Sequence, residues 1–127
     1  MSTSKSSLVG ARILVLEDDY YLASDLQNAL EAAGAEVVGP FCDAAGVTDA
    51  LAVDAPDCAL VDLNLGQGMS FEVPRELARR GIPFAFVTGY DRTALPAEFA
   101  ATVRIEKPIT AHHAARVAEQ LLAVQRT

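Results

Sequence analysis

The sequence predicts one α/β domain in which helices cover both faces of a parallel β-sheet. Short apolar runs alternate five times with segments whose apolar residues recur at helical spacing. Nearly continuous apolar runs of this length are typical of strands that are buried on both faces. A chain of 127 residues is long enough for one domain with a substantial core. Right-handed crossovers between parallel strands then lead to a three-layer sandwich.

The first half of the chain contains three predicted strands and two predicted helices. Residues 1–10 are polar at the start, and we expect them to be a flexible lead-in to a strand at 13–16. Apolar residues at helical spacing predict a helix that contains Leu22 and ends at Gly34. The next predicted elements are a strand at 36–40, a helix at 44–55 and a strand at 58–62.

The second half continues the same alternation. Ser70 is placed to cap a helix that runs to Arg80, and Pro74 is tolerated only in its first turn. Pro96 divides residues 91–101, which predicts a short or irregular helix there. The remaining predicted elements are strands at 84–88 and 102–106 and a last helix, capped by Thr110, that faces the core with Ala114, Val117, Leu121 and Val124.

The composition limits the class of function. A formal charge of −7 disfavours direct nucleic-acid binding, which depends on basic patches. No apolar stretch approaches the roughly 18 residues that span a membrane, and the first residues lack the apolar segment of a signal peptide. We therefore expect a cytoplasmic protein without membrane insertion. Cys42 and Cys58 lack metal-ligand spacing, which predicts two buried, reduced thiols.

Polar side chains follow four of the apolar runs at the point where each run ends. Glu17 and Asp18 follow the first run, Asp62 and Thr88 end two later ones, and Lys107 follows the last. The carboxyl ends of parallel strands share one edge, where open α/β sheets bind their ligands. Carboxylates, a hydroxyl and an ammonium at one edge suit a divalent cation and a phosphoryl group.

The order of these motifs resembles that of the receiver domain of two-component response regulators. The resemblance extends from about Ala11 to the end of the last helix, and it includes Pro108 after the lysine. It implies a flavodoxin-like (βα)5 fold with strand order 2-1-3-4-5 and a receiver domain over residues 11–127 without an output domain. The Lys-Pro bond is expected to be cis, as in the family.

The resemblance also implies how a metal and a phosphoryl group are held. Asp62 is the expected phosphoacceptor. Mg²⁺ is expected to be ligated by Asp18, Asp62 and the backbone carbonyl of Asn64, with Glu17 acting through water. Asp19 lies outside the family's metal site, and we expect it to cap the first helix.

The phosphoryl group itself is expected to contact two further side chains. Lys107 supplies a positive charge that pairs with Asp62 and then with the phosphoryl oxygens. The hydroxyl of Thr88 donates a hydrogen bond to the phosphoryl group, and in the family this hydrogen bond reports phosphorylation.

The chain departs from the common family pattern after the fourth strand. Arg104 stands where many members have Tyr or Phe, so a buried ring at that position cannot report phosphorylation. A guanidinium is costly to bury without a partner, so we expect Arg104 to be exposed on the docking face. Residues 86–90 partly match single-domain receivers with Phe-Ala-Thr-Gly-x-Tyr and a reduced fourth helix. We expect the signal to pass through Thr88 and Tyr90 into 91–101, whose scarce packing leaves that segment free to reorder.

These features predict a stand-alone bacterial receiver that accepts a phosphoryl group from a histidine kinase or histidine phosphotransfer protein. It then binds a downstream protein target or acts as a phosphate relay or sink, as a monomer or weak dimer, and it is not an ordinary enzyme. One alternative is a pseudo-receiver that works by binding only. Another is a small haloacid-dehalogenase-like phosphatase, which needs a second acid where this chain has Asn64 and a nucleophile after the first strand.

Overall fold

The computed structural model describes residues 8–63, 71–88 and 95–126, which form a five-stranded parallel sheet with helices on both faces. The strand order is β2-β1-β3-β4-β5, as expected. The strands are β1 (Arg12–Leu16), β2 (Glu36–Phe41), β3 (Cys58–Asp62), β4 (Phe84–Thr88) and β5 (Arg104–Glu106). The helices are α1 (Tyr20–Ala32), α2 (Ala44–Val53), α3 (Glu72–Arg79) and α4 (Ala111–Arg126), with a 3₁₀ turn at Ala97–Phe99.

Alternating side chains along each strand divide the core into two layers. One layer contains Ile13, Leu60 and Ile105 and is covered by α1 and α4. The other layer contains Leu14 and Phe86 and is covered by α2 and α3. This alternation follows from the two-residue period of a strand. Because both faces are covered, the central strands β1, β3 and β4 are buried almost throughout, which is why the sequence showed continuous apolar runs there.

Three polar side chains cap helices at the positions where the sequence favours a start. Asp19 Oδ1 accepts a hydrogen bond from the amide of Leu22 at 3.1 Å, which confirms its expected role as the cap of α1. Asp43 caps α2, and Thr110 Oγ1 accepts from the amide of His113 at 3.1 Å in α4. Each cap satisfies an amide that has no partner within its own helix.

Residues 8–10 are more ordered than the sequence suggested. We expected residues 1–10 to be a flexible lead-in, but Leu8 is fully buried in the layer under α1 and α4. Its carbonyl accepts a hydrogen bond from Ala11 at 2.9 Å. Gly34, which ends α1 with a φ of +100°, allows the close approach of this segment, since a Cβ there would lie 2.7 Å from Val9 Cγ2. The folded domain therefore includes residues 8–10.

Several predicted element boundaries differ from those in the structure, including the starts of α3 and β5. The helix expected from Ser70 to Arg80 begins at Glu72, with Phe71 at the N-cap position and no side-chain cap; Ser70 lies outside the described residues. The ring of Phe71 stacks on that of Phe99 in the 3₁₀ turn. The last strand starts at Arg104 rather than at residue 102.

The described part of the segment at 91–101 is short and irregular, as expected, but it is not poorly packed. Its only regular structure among the described residues is the 3₁₀ turn at Ala97–Phe99, which follows Pro96. Phe99 is 2% exposed and belongs to the layer under α2 and α3. The expectation of scarce packing is therefore wrong at this position, because an aromatic ring fills the space beside β4.

None of the helices in the described part of the chain is both long enough and apolar enough to cross a bilayer.

Candidate functional site at the carboxyl edge of the sheet

Strand register brings the predicted site residues to one edge. In β1 and β3, Leu16 pairs with Val61, so Glu17 and Asp62 are the next residues along two adjacent strands. In β4 and β5, Thr88 pairs with Glu106, which places Lys107 directly beyond the edge. The amide of Lys107 donates to the carbonyl of Thr88 at 2.8 Å, and the Lys107–Pro108 bond is cis, as expected.

Three carboxylates cluster at this edge. Oxygen atoms of Glu17, Asp18 and Asp62 all lie within 4.8 Å of one another. Glu17 and Asp62 are buried, each with 2% of its surface exposed, whereas Asp18 is exposed. Carboxylates at such separations repel one another in a medium of low dielectric unless a cation lies among them.

Lys107 supplies the nearest positive charge. Its Nζ lies 3.4 Å from Asp62 Oδ2 and 3.6 Å from Glu17 Oε1, and its side chain is 30% exposed. One ammonium therefore faces two buried carboxylates, and the third carboxylate lies close by. The charge of the cluster is only partly balanced by this lysine.

Glu17 is the carboxyl group most strongly affected by this environment. Burial raises the pKa of Glu17 to about 8, and a hydrogen bond to Asp62 and the charge of Asp62 act in the same direction. The amide of Asp19 and the ammonium of Lys107 lower the pKa of Glu17 and offset part of this effect. Without a further cation, the raised pKa favours the protonated form of Glu17 at neutral pH.

The donor set fits a hard divalent cation. Glu17 Oε1 is fully buried and accepts no hydrogen bond from any donor in the described part of the chain. A buried carboxylate oxygen without a hydrogen-bond donor lowers the stability of the folded state. Mg²⁺ takes oxygen ligands from one or two carboxylates and retains several waters, and the exposed position of Asp18 leaves one side of the cluster accessible to water.

Two of the predicted site residues cannot be placed. Asn64, the expected carbonyl ligand, and Tyr90, the expected switch residue, lie outside the described residues. Arg104 is exposed on β5, next to the fully buried Ile105, and its register partner on β4 is Phe86. Its side chain thus stays at the surface, as its charge required.

The sequence did not indicate that β2 also contributes to this edge. The carbonyl of Phe41 accepts a hydrogen bond from the backbone amide of Glu17 at 2.9 Å, which fixes the backbone at the start of the acidic run. Cys42, which we expected to be buried, is exposed and lines a cavity of about 270 Å³ together with Glu17, Asp18 and Tyr20. Cys42 directly follows the carboxyl end of β2, so the tendency of ligand sites to lie at the carboxyl ends of parallel strands would have predicted that it lies at this edge.

Comparisons with solved structures agree with this fold. No known family profile matches the sequence. No curated protein matches it either. Among solved structures, SdrG from Sphingomonas melonis Fr1 is 32% identical, with a TM-score of 0.77 over 91% of this chain and 98% of SdrG.

Two further structures share the fold. The response regulator PhyR from Brucella abortus is 23% identical, with a TM-score of 0.79 over 97% of this chain and 52% of PhyR, a likeness of fold alone. The signal receiver domain of a modulated diguanylate cyclase from Desulfovibrio desulfuricans G20 is 25% identical, with a TM-score of 0.74 over 92% of this chain and 97% of that domain. With its five-stranded order and its acidic cluster, the chain belongs to the family of response-regulator receiver domains and has a signalling role of that kind.

Proposed function

We propose that this protein accepts a phosphoryl group on Asp62 from the phosphohistidine of a histidine kinase or histidine phosphotransfer protein. The observation that carries the proposal is the position of Asp62, whose buried carboxylate ends β3 between two other carboxylates and the ammonium of Lys107, 3.4 Å away. A buried carboxylate with a fixed cation beside it is suited to nucleophilic attack on phosphorus.

The metal in this proposal is Mg²⁺. Asp18 and Asp62 would ligate it directly, Glu17 would act through water, and the carbonyl of Asn64 would be the remaining protein ligand. The close approach of three carboxylate oxygens and the fully buried Oε1 of Glu17, which accepts no hydrogen bond in the described part of the chain, support this set. When bound, the cation supplies positive charge that neutralises the clustered carboxylates and the phosphoryl oxygens.

In the transfer step, a carboxylate oxygen of Asp62 attacks phosphorus and forms an acyl phosphate. The bond from phosphorus to the donor imidazole nitrogen breaks, and that nitrogen keeps the electron pair. The ammonium of Lys107 moves from pairing with Asp62 to pairing with a phosphoryl oxygen, and the hydroxyl of Thr88 donates to another. Thr88 is 6% exposed at the end of β4, so this new bond would form out of bulk water.

The protein would then act by docking to a downstream protein or by relaying or draining phosphate. It would not be an enzyme in the ordinary sense, since its chemistry is its own phosphorylation and dephosphorylation. Arg104 would belong to the docking face, where its exposed guanidinium is available to a partner. We also propose that it works in the bacterial cytoplasm as a monomer or weak dimer.

The position of Asp62 disfavours a phosphatase of the haloacid-dehalogenase type. The nucleophile of those enzymes follows the first strand, whereas Asp62 ends β3, the central strand of the sheet. The same acidic cluster argues against a pseudo-receiver, because a protein that only binds has no need of three carboxylates held together.

Incubation with acetyl phosphate and Mg²⁺, followed by mass spectrometry of the intact chain, tests the proposal. We expect one added phosphoryl group, and none in Asp62→Asn or in the presence of a chelator. Asp19→Asn is the matched control, because it keeps a capping side chain outside the cluster. Labelling that survives in Asp62→Asn would place the acceptor elsewhere, with His112 and His113 the next candidates. Absence of labelling in a wild-type protein that still binds Mg²⁺ would favour the pseudo-receiver.

A further inference from the structure

The end of β2 holds the start of the acidic run. The carbonyl of Phe41 accepts a hydrogen bond from the backbone amide of Glu17 at 2.9 Å. This bond joins the last residue of β2 to the residue that directly follows β1. Glu17 contributes a buried carboxylate to the acidic cluster, so the position of the Phe41 carbonyl helps to fix the backbone from which that carboxylate extends.

A bulge in β2 places Phe41 at this point. Leu14 of β1 pairs with Val38, but Leu16 pairs with Phe41, so β2 contains one more residue than β1 over the same stretch. In a regular strand, Val38 and Phe41 would point to opposite faces of the sheet, because they are three residues apart. The bulge instead brings both side chains into the layer under α2 and α3. Bulges often redirect a side chain next to a functional site.

Two glycines leave room for the ring of Phe41 in this layer. Gly39, within the bulge, has a φ of +104°, and a Cβ there would lie 2.7 Å from the amide nitrogen of Phe41 and 2.9 Å from Cδ2 of its ring. Gly46 lies in the first turn of α2, and a Cβ there would lie 2.8 Å from Cδ1 of the ring. The two edges of the ring therefore each lie against a glycine, and neither position has space for a side chain.

The residues on either side of Phe41 line the cavity next to the carboxylates. Pro40 and Cys42 both border this cavity of about 270 Å³. Glu17 and Asp18 line the same cavity. A shift of Phe41 would therefore move both the backbone of Glu17 and one wall of the cavity beside the acidic cluster.

We propose that Phe41 is a positioning residue for the metal site, held by the bulge and by the two glycines so that its carbonyl fixes Glu17. This inference rests on the proposed function, which assigns Glu17 to Mg²⁺. Phe41 acts through the backbone of the acidic run and not by contact with the metal. Residues that support metal ligands in this way commonly affect metal affinity, because they hold the ligands in the geometry that the ion requires.

Gly46→Ala tests the proposal, because it alters none of the residues that form the hydrogen bond or the cluster. The added methyl group must push the ring of Phe41, although alanine itself favours a helix over glycine. We expect Mg²⁺ affinity, measured by calorimetric titration, to fall by about ten-fold, the scale of loss when the support of a metal ligand is disturbed. In the absence of Mg²⁺, the Glu17 amide should exchange its hydrogen with solvent faster than in wild type, as measured by NMR.

A double variant, Phe41→Leu with Gly46→Ala, separates the effect on the ring from any other effect of the alanine. Leucine is shorter than phenylalanine, so it leaves room for the methyl group and keeps the backbone carbonyl. The double variant should therefore recover most of the Mg²⁺ affinity that Gly46→Ala loses. Leu51→Val is the control for stability, because it shortens a buried side chain of the same helix and the same core layer. It should lower the stability measured by urea unfolding and leave Mg²⁺ affinity unchanged.

Unchanged Mg²⁺ affinity or unchanged exchange of the Glu17 amide in Gly46→Ala would overturn the proposal. So would a double variant that binds Mg²⁺ no better than Gly46→Ala, or an equal loss of Mg²⁺ affinity in Leu51→Val. A wild-type protein that does not bind Mg²⁺ would overturn the proposed metal site. Faster exchange of the Glu17 amide in Gly46→Ala would in that case still show that Phe41 holds this backbone.

Discussion

The backbone amide of Asp19 donates a hydrogen bond to Oε2 of Glu17 at 3.0 Å, while the Asp19 side chain turns away to cap α1. The three consecutive acidic residues therefore point in different directions and make different contacts. Glu17 is held inward with Oε1 toward Lys107, Asp18 stays exposed beside the cluster, and Asp19 belongs to the helix. The acidic run is thus divided between the site and the start of α1.

The first prediction compares the two neighbouring aspartates. Asp18→Ala should weaken Mg²⁺ binding at least ten-fold, because removing even a residue that only supports the metal ligands commonly costs about that much affinity. Asp19→Ala should change Mg²⁺ affinity far less but destabilise the fold by about 0.5–2 kcal/mol, because the cap of α1 is lost. Calorimetric titration with Mg²⁺ and urea unfolding measure the two effects. Equal losses of Mg²⁺ affinity would show that the wrong pair has been chosen from the acidic run.

The second prediction concerns the dependence of stability on pH in the absence of divalent cations. The folded protein keeps the Glu17 proton up to a pKa of about 8, whereas the unfolded chain releases it near 4.5. Between these values the folded state binds more protons, so the contribution of Glu17 to the free energy of unfolding falls as the pH rises. That contribution is fully present below pH 4.5 and is lost as the pH passes about 8.

Urea unfolding of wild type and Glu17→Gln over this pH range isolates the effect. The difference in stability between the two proteins should shift in favour of Glu17→Gln as the pH rises. Mg²⁺ binding by the wild type should also release protons at neutral pH, visible as a heat of binding that depends on the buffer. A pH-independent difference between the two proteins would contradict the raised pKa of Glu17.

The third prediction tests the order at the start of the domain. Leu8→Ala removes a fully buried side chain and should destabilise the protein by about 2–5 kcal/mol. Val9→Ala is the control on the adjacent residue, which is 66% exposed, and should change stability by no more than about 0.5 kcal/mol. Urea unfolding gives both values. Similar small effects at the two positions would mean that residues 8–10 are a flexible lead-in after all.

The fourth prediction separates the two cysteines. Cys42 is exposed, whereas Cys58 is buried on β3 and has a pKa raised to about 12, mainly by burial. A thiol reagent should therefore modify one cysteine in the folded protein and both in urea, because the reactive form is the thiolate. Cys42→Ser should remove the fast reaction, and Cys58→Ser should leave it in place. A folded wild type in which both thiols react quickly would be inconsistent with this burial.

The sequence by itself determined the fold class and the edge at which the site lies. Apolar runs such as 13–16 and 58–61 are local signals for buried strands, and their polar last residues mark the carboxyl edge. The caps at Asp19 and Thr110 could also be predicted, because a cap contacts amides only a few residues away. The exposure of Arg104 followed from its charge.

Only the tertiary structure decided how residues far apart in sequence meet. The burial of Leu8, the exposure of Cys42 and the stacking of Phe71 on Phe99 each depend on elements that are distant in sequence. The raised pKa of Glu17 has the same origin, since Asp62 and the surrounding core produce it. Hydrophobic periodicity specifies which face of an element is buried, but not which partner covers it, because burial is non-directional and any apolar surface of matching shape will serve.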